Sequence, residues 1–586
     1  MNVYCNPLNL SYKYQHYNGI ASREGADPTL IRFKDTYYLF ASMCGGFYWS
    51  EDLLHWHWHE NRQLDLYRYA PDAHVVGVWL VLCASSHGIS SFWRTKDPLS
   101  DQFEKVSEPF SFWDPACFQD EDGRVYLYWG CNSGKPIYVQ ELDPEKLLPI
   151  GEKKELIFGH PECHGWERIH YPGAPQLKFK TGIALKLLTG LLKLTGPKEE
   201  QPFVEGAFMN KLGGRFYLQY AAPGTELPTY SDGVYISDSP VGPFSYQAHN
   251  PFSSKPGGFI RGAGHGSTLE DRYGNLWHVS TMRSSVNQNC ERRIGLFPAG
   301  IDKDGILFCN QSFADYPLEI PEGRFDPLSI RPKWMLLSYG KPCSASSQLP
   351  GHEPELAVNE DIRSSWCADG SAGQWFCVDL QQVYPIHSLQ INFADVNVPV
   401  RTVSKKERSD FVTGNRYIDT SADLKTRWLL EGSTDGENWF PVADKRHADT
   451  DLSHDYLLLE NVSARYLRIT AAELPYGQNF ALSGLRVFGL GNGEKPGIVN
   501  GFRAEYTDAM TARIRWETAE NAMGYEVQYG IAPDKLYSSH MVYGSSEVLL
   551  TLLNAGQNYY IRIVSFNENG ITSGEVIFVP GKEERT

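Results

Sequence analysis

Hydrophobic and polar positions alternate with a period of two over short stretches of residues 1–325, and Gly and Asp break the stretches. That period predicts half-buried β-strands, and the breaks predict turns. One pattern recurs: a short strand, a turn, then a second strand rich in large apolar residues, often Tyr. It reads DPTLIRFKDTYYLFAS from Asp27, PDAHVVGVWLVLCASS from Pro71, and DPACFQDEDGRVYLYWG from Asp114. It returns as EGAFMNKLGGRFYLQYA from Glu205 and GHGSTLEDRYGNLWHVST from Gly264. Five degenerate copies of one small antiparallel sheet predict a five-bladed β-propeller over 1–325.

In such a ring the innermost strand of every blade starts at the same end of the central channel. Asp27, Asp72, Asp114, Glu205 and His265 sit at or near these starts, so they are expected to converge on one axis. The longest interval, between Asp114 and Glu205, holds an insertion over about 155–202. Within it, GIALKLLTGLLKL (Gly182–Leu194) has the Leu spacing of a short amphipathic helix. Residues 326–340 read as a connector. A second β domain is expected over 341–490. A third, with the rhythm of a small sandwich (RIRWE, YEVQYG, YYIRIVSFNENG), spans 496–581. The fold class is therefore all-β: a propeller plus two β-sandwiches.

Composition changes this picture little but excludes some functions. A formal net charge of -16 argues against a nucleic-acid partner, which calls for a basic face. The 33 Tyr and 15 Trp suit stacking on sugar rings and β-sheet packing alike. Eleven Cys without a CxxC pair fit neither a zinc site nor a dense disulfide framework. Free buried thiols are expected, with Cys367–Cys377 the one pairing considered. No run of about twenty apolar residues marks a membrane span. The N-terminal MNVYCNPLNLSYKY lacks the apolar centre of a signal peptide.

Acetal hydrolysis needs a proton donor for the leaving oxygen and a nucleophile or a water-activating base, so two carboxyl groups in different environments suffice. Asp27 (GADPTLIR) and Asp114 (FWDPACF) share an Asp-Pro step. The Pro restrains the residue before it toward extended geometry, which suits a strand entry. Glu205 (FVEGAF) has the longer side chain a proton donor can use, beside Gly206. Trp113, Phe47 and Trp166 are candidate faces for a sugar ring.

On these motifs, together with YWSEDLLHW, APDAHV and GAGHGSTLEDRYGNLWHV, the first 320 or so residues resemble glycoside hydrolase family 43. The resemblance implies an inverting mechanism in which Asp27 is the general base and Glu205 the general acid. Asp114 would orient Glu205 and raise its pKa. It further implies that His265 (GAGHGS) faces a cation or water cluster on the axis, and that Arg292 or Arg293 (ERRIGLF) contacts substrate. No cofactor is required for the chemistry; a structural Ca²⁺ or Na⁺ is expected near the axis or in the second domain. HPECHGW (His160–Trp166) has a Glu-Cys pair like that of related retaining propellers, which gives Glu162 a rival claim as acid, with Trp166 at the rim.

Residues of the second domain, among them KPCSASSQ, AVNEDIRSSWCAD and LEGSTDGENW, resemble a discoidin or coagulation-factor type C module, similar to carbohydrate-binding module family 32. The third domain resembles fibronectin type III, with Trp516 as core Trp and Tyr559 as corner Tyr. The chain is thus expected to be a monomeric glycosidase acting on plant-type polysaccharide or oligosaccharide in the periplasm or outside the cell. α-L-arabinofuranosidase and β-D-xylosidase are the default activities. The alternatives are a non-catalytic carbohydrate-binding propeller, a galactan-cleaving relative and a retaining relative.

Overall fold

The computed structural model describes residues 2–17, 20–61, 63–64, 69–85, 89–174, 201–288, 291–399, 417–418 and 423–583. Among them the chain forms β-strands and short 3-10 turns, with no α-helix. The amphipathic helix expected at Gly182–Leu194 lies outside the described residues.

Five antiparallel sheets follow one another along the first 310 residues or so. Their first strands are Thr29–Phe33, Tyr69–Val76, Ala116–Gln119, Phe203–Leu212 and Arg261–Glu270. Each of these touches the first strand of the next sheet, and the fifth touches the first, so the inner strands close a ring. The ring is held by apolar clusters between neighbouring sheets. Phe40, Phe47 and Leu82 pack between the first and second. Val81, Cys117 and Leu127 join the second and third. Tyr128, Phe208 and Leu218 join the third and fourth. Tyr217, Val234 and Leu276 join the fourth and fifth, and Leu39, Trp277 and Ile294 join the fifth and first. Period-two alternation is what supplies both faces: one set of side chains packs on the preceding sheet, the other on the following one. The strand Val3–Tyr4 pairs with Leu318–Glu319, tying the start of this unit to its end.

A hairpin that the sequence did not signal, Lys13–Tyr17 with Ile20–Glu24, pairs through its first strand with Tyr417–Ile418. The second unit is built on an eight-stranded sheet assembly around Trp366, Phe376, Trp428 and Leu485. The expected connector is partly structural. Met335–Leu336 pairs with Ala481–Gly489 and so belongs to the second unit's sheet. The third unit has a three-stranded and a four-stranded sheet, Arg503–Tyr506 opening the first and Gly570–Val579 closing the second. Trp516 and Tyr559 are both buried in its core, and Tyr559 Oη accepts a hydrogen bond from the Asn554 N–H at 2.8 Å. Cys367 and Cys377 are both free thiols on different strands, and the described cysteines form no disulfide.

Candidate active site

The inner strands begin with a repeated backbone feature. Asp27, Ala70, Asp114, Gly206 and His265 all have left-handed φ, at 50, 45, 50, 63 and 50°. In the second, fourth and fifth sheets a β-bulge coincides with it, between Tyr69 and Asp72, Glu205 and Phe208, and Gly264 and Ser267. A bulge bends the strand and re-aims one side chain out of the alternation, which turns these residues into the channel. This corrects two expectations. Asp27 and Asp114 are not extended before their prolines; Asp tolerates the left-handed region better than most residues. The second sheet's equivalent of Asp27 is Ala70, not Asp72. Asp72 sits two residues further on and is buried, with Oδ2 accepting the Cys117 N–H at 2.7 Å.

The strained residues are pinned by hydroxyl and carboxylate groups from neighbouring sheets. Thr281 Oγ1 accepts the Asp27 N–H at 2.8 Å. Ser42 Oγ accepts the Ala70 N–H at 2.7 Å, and Ser85 Oγ accepts the Asp114 N–H at 2.7 Å. Asp232 Oδ1 accepts the His265 N–H at 2.6 Å. Ser42 and Ser85 also donate to the acids, Ser42 to Asp27 Oδ2 at 2.6 Å and Ser85 to Asp114 Oδ1 at 3.2 Å. Two glycines are required by close approach. A Cβ on Gly206, whose φ is already 63°, would sit 2.7 Å from the His265 ring, and one on Gly264 would sit 2.7 Å from the Tyr230 ring.

Three carboxyl groups therefore gather around one imidazole. His265 Nδ1 lies 3.5 Å from Asp27 Oδ1 and 3.9 Å from Asp114 Oδ2. One ligand atom each from Asp114, Cys131 and Glu205 lie within 4.8 Å of one another. Tyr230 Oη donates to Glu205 Oε1 at 2.5 Å, and Cys131 Sγ donates to Oε2 at 3.2 Å. Arg292 Nη1 donates to Asp27 Oδ1 at 3.2 Å, and its Nη2 donates to Glu24 Oε1 at 2.6 Å. Asp27 and Asp114 are 5% and 4% exposed, whereas Glu205 is half-buried and open to an incoming ligand.

The electrostatics separate these groups. Burial pushes Asp114 up to about 7, with the charges of Glu205 and Asp27 adding to the rise and His265 opposing it. Burial disfavours the charged form of His265, but Asp27, Asp114, Glu205 and Asp232 outweigh it and the pKa is raised.

The structure brings Asp27, Asp114, Glu205, His265 and Arg292 together, and adds Glu24, Cys131 and Tyr230, which the sequence does not single out. Trp113 immediately precedes Asp114, at the position equivalent to Glu205 in its own sheet, and is half-buried. Phe47 is not at the pocket: it is fully buried between the first two sheets, against Phe40 and His59. Trp166 is also fully buried, under Tyr220, with Nε1 donating to Tyr246 Oη at 2.9 Å. Both aromatics pack in the interior instead of offering a face to a sugar, Phe47 from the strand Gly46–Ser50 and Trp166 from the 3-10 turn Gly165–Glu167. Glu162 is exposed and pairs with His160 at 2.9 Å, outside the acid cluster. Arg293 points away from the cluster, toward the second unit.

Residues 17–307 match the family model of glycosyl hydrolases family 43. The first unit is a family 43 domain. Residues 356–469 match the model of a NedA-like, galactose-binding domain of the coagulation-factor type C group, which agrees with the discoidin-like resemblance of the second unit. The chain is 24% identical to a β-xylosidase of Xylanibacter ruminicola over 169 residues, 27% of this chain and 47% of that protein. It is 31% identical to a xylosidase/arabinosidase of Bacteroides ovatus over 138 residues, 23% of this chain and 39% of that protein. The chain thus spans less than half the length of these relatives. A solved glycoside hydrolase aligns with a TM-score of 0.45 at 17% identity, covering 79% of this chain and 97% of the other. The family 43 domain holds all three acids. Among the described residues no helix is long and apolar enough to cross a membrane.

Proposed function

We propose that the chain is an inverting glycosidase that releases β-D-xylosyl or α-L-arabinofuranosyl units from plant-type polysaccharide or oligosaccharide. The observation that carries this reading is the gathering of Asp27, Asp114 and Glu205, from three different sheets, around His265. Asp27 is the base: Arg292 places positive charge against its carboxylate and Ser42 fixes its other oxygen, so it is poised to take a proton from water. Glu205, the most open of the three, is the acid that protonates the leaving oxygen. Asp114, its own pKa raised by burial, sits beside Glu205 and is the group that orients it. Inversion requires the base and acid to stand roughly 6.5–9.5 Å apart, with water between base and anomeric carbon. The xylosidase and arabinosidase names of the relatives support the choice of sugars.

The five-sheet ring is read as a five-bladed propeller, and the third unit as a fibronectin type III spacer. Because polymeric substrate does not enter cells, the periplasm or exterior is the proposed site of action, with the chain as a monomer. The test is turnover of aryl β-D-xylosides and α-L-arabinofuranosides beside Glu205→Gln and Asp27→Ala. Proton NMR of the first anomer released should show inversion. Sugar binding without turnover of any substrate would replace the enzyme with a binding protein, and an initially retained anomer would refute the mechanism.

A further inference from the structure

We propose that Asp395, Asp451 and His454 of the discoidin-like unit are positioning residues for Asp27, so that this unit is part of the catalytic apparatus. The proposal rests on the reading of Asp27 as base.

It starts from two pairs of neighbouring residues on two strands. Successive side chains of a strand point to opposite faces. Glu24 and Arg292 face the pocket, where the guanidinium bridges Glu24 and Asp27 at 2.6 and 3.2 Å. Arg23 and Arg293, their immediate neighbours, must then face the other way, and what they meet is the second unit.

Arg23 is fully buried. Its Nη1 and backbone N–H both donate to Asp395, at 2.6 and 2.8 Å. Its Nε and Nη2 donate to Asp451 at 3.0 and 2.8 Å, a two-pronged pair, and its guanidinium stacks on Tyr14. Asp395 also accepts from Tyr14 Oη at 2.8 Å. Arg293 Nε donates to His454 Nε2 at 2.6 Å. His454 is buried beside two guanidinium groups, and burial first, then Arg293 and Arg23, hold it well below its usual pKa. The neutral ring therefore accepts at Nε2 and donates from Nδ1 to Asn392 Oδ1 at 2.7 Å.

The two halves are joined through backbone. Arg293 Nη1 donates to the carbonyls of both Arg23 and Arg292, at 2.7 and 2.9 Å. The Arg292 carbonyl also accepts the Gly25 N–H at 3.2 Å. His454 thus orients a side chain that staples the Arg23–Glu24 strand to the Arg292–Arg293 strand, directly behind the bridge to Asp27. Taking Arg23 out of water is costly, and only partners with this geometry offset that cost. Removing a partner loosens the layer that sets where Arg292 meets the base. The second unit then acts on the reaction without touching substrate.

The experiment uses the full chain and compares His454→Ala, His454→Gln and Asp451→Asn with wild type on an aryl glycoside across pH. Arg465→Ala, which breaks a half-buried ion pair to Asp379 on the same unit, is the control. For His454→Ala and Asp451→Asn we expect kcat to fall at least tenfold with KM within twofold. The acid limb of kcat/KM should move to higher pH, because a displaced Arg292 no longer favours ionised Asp27. His454→Gln, which keeps an acceptor for Arg293, should recover most of the rate. In an Arg292→Lys background the Asp451→Asn effect should largely vanish, as acting through Arg292 requires. Folded variants with kcat within twofold and an unmoved acid limb would overturn the proposal, and so would an undiminished Asp451→Asn effect in that background. Should His454→Ala not fold, His454→Gln and Asp451→Asn decide alone. Full activity in Asp27→Ala would instead sink the assignment of the base, and the two failures are separate.

Discussion

Asp114→Asn removes a group that holds a proton in the folded protein and loses it in the unfolded chain. The ordinary carboxyl value is 3.8 and the folded value is about 7. Between these pH values the folded state binds more protons than the unfolded state, so the stability due to Asp114 falls as pH rises and is lowest above 7. Three units at about 1.4 kcal/mol each amount to a penalty of about 4 kcal/mol above pH 7. Asn keeps the shape and leaves the backbone bond to Ser85 in place, but carries no charge to bury. The variant should therefore gain on wild type as pH rises. At roughly 2.1 cal/mol/K of unfolding entropy per residue, 4 kcal/mol is about 6 °C in Tm if the family 43 domain melts alone, and about 3 °C if the whole chain melts together. The assay is thermal melting of both proteins at pH 5 and pH 8, an interval that covers two of the three units and so about two-thirds of that difference. A Tm difference between variant and wild type that is the same at both pH values would refute the reasoning.

Glu205→Gln should lose at least about a hundredfold in kcat on natural xylosides or arabinosides but far less on a dinitrophenyl glycoside, whose leaving group needs no proton; equal losses on both would remove Glu205 as acid. Trp166→Ala should destabilise the chain by about 3–5 kcal/mol through an unfilled core site while the KM of the folded fraction stays within twofold, as melting and Michaelis kinetics will show. Exhaustive chelation should leave kcat unchanged, because proton transfer between carboxyl groups and water needs no metal; activity lost on dialysis against EDTA and restored by Ca²⁺ would contradict this.

The parts of the site that the sequence made legible were those set by local pattern. Asp-Pro at 27 and 114, and Gly beside Glu205 and His265, mark backbone turns that any one strand needs for itself. The misplacement of Asp72 for Ala70 shows the limit of that signal, since a bulge shifts register by one residue and the side-chain type gives no warning. Sequence does not separate the roles open to Phe47 and Trp166, because a large aromatic is equally at home against a sugar and in a packed interior. Arg23 and Asp395 were illegible altogether. They are 372 residues apart, and no short-range pattern encodes such a pairing. The strand at Met335–Leu336 was hidden for a related reason: two residues are too few to show a period.

The five left-handed positions amount to a ring of interchangeable mounting points. Asp27, Asp114 and His265 fill three with reactive groups, and Gly206 yields its place so that Glu205 can work from the residue before. Ala70 is the fifth, and its N–H is already anchored by Ser42. The conformational cost of the turn is met there by a side chain that does no chemistry. Position 70 thus carries the same left-handed turn as Asp27, Asp114 and His265, with a methyl group where they carry a reactive one. On such a frame, new specificities arise by exchanging what is mounted, and the frame itself need not move.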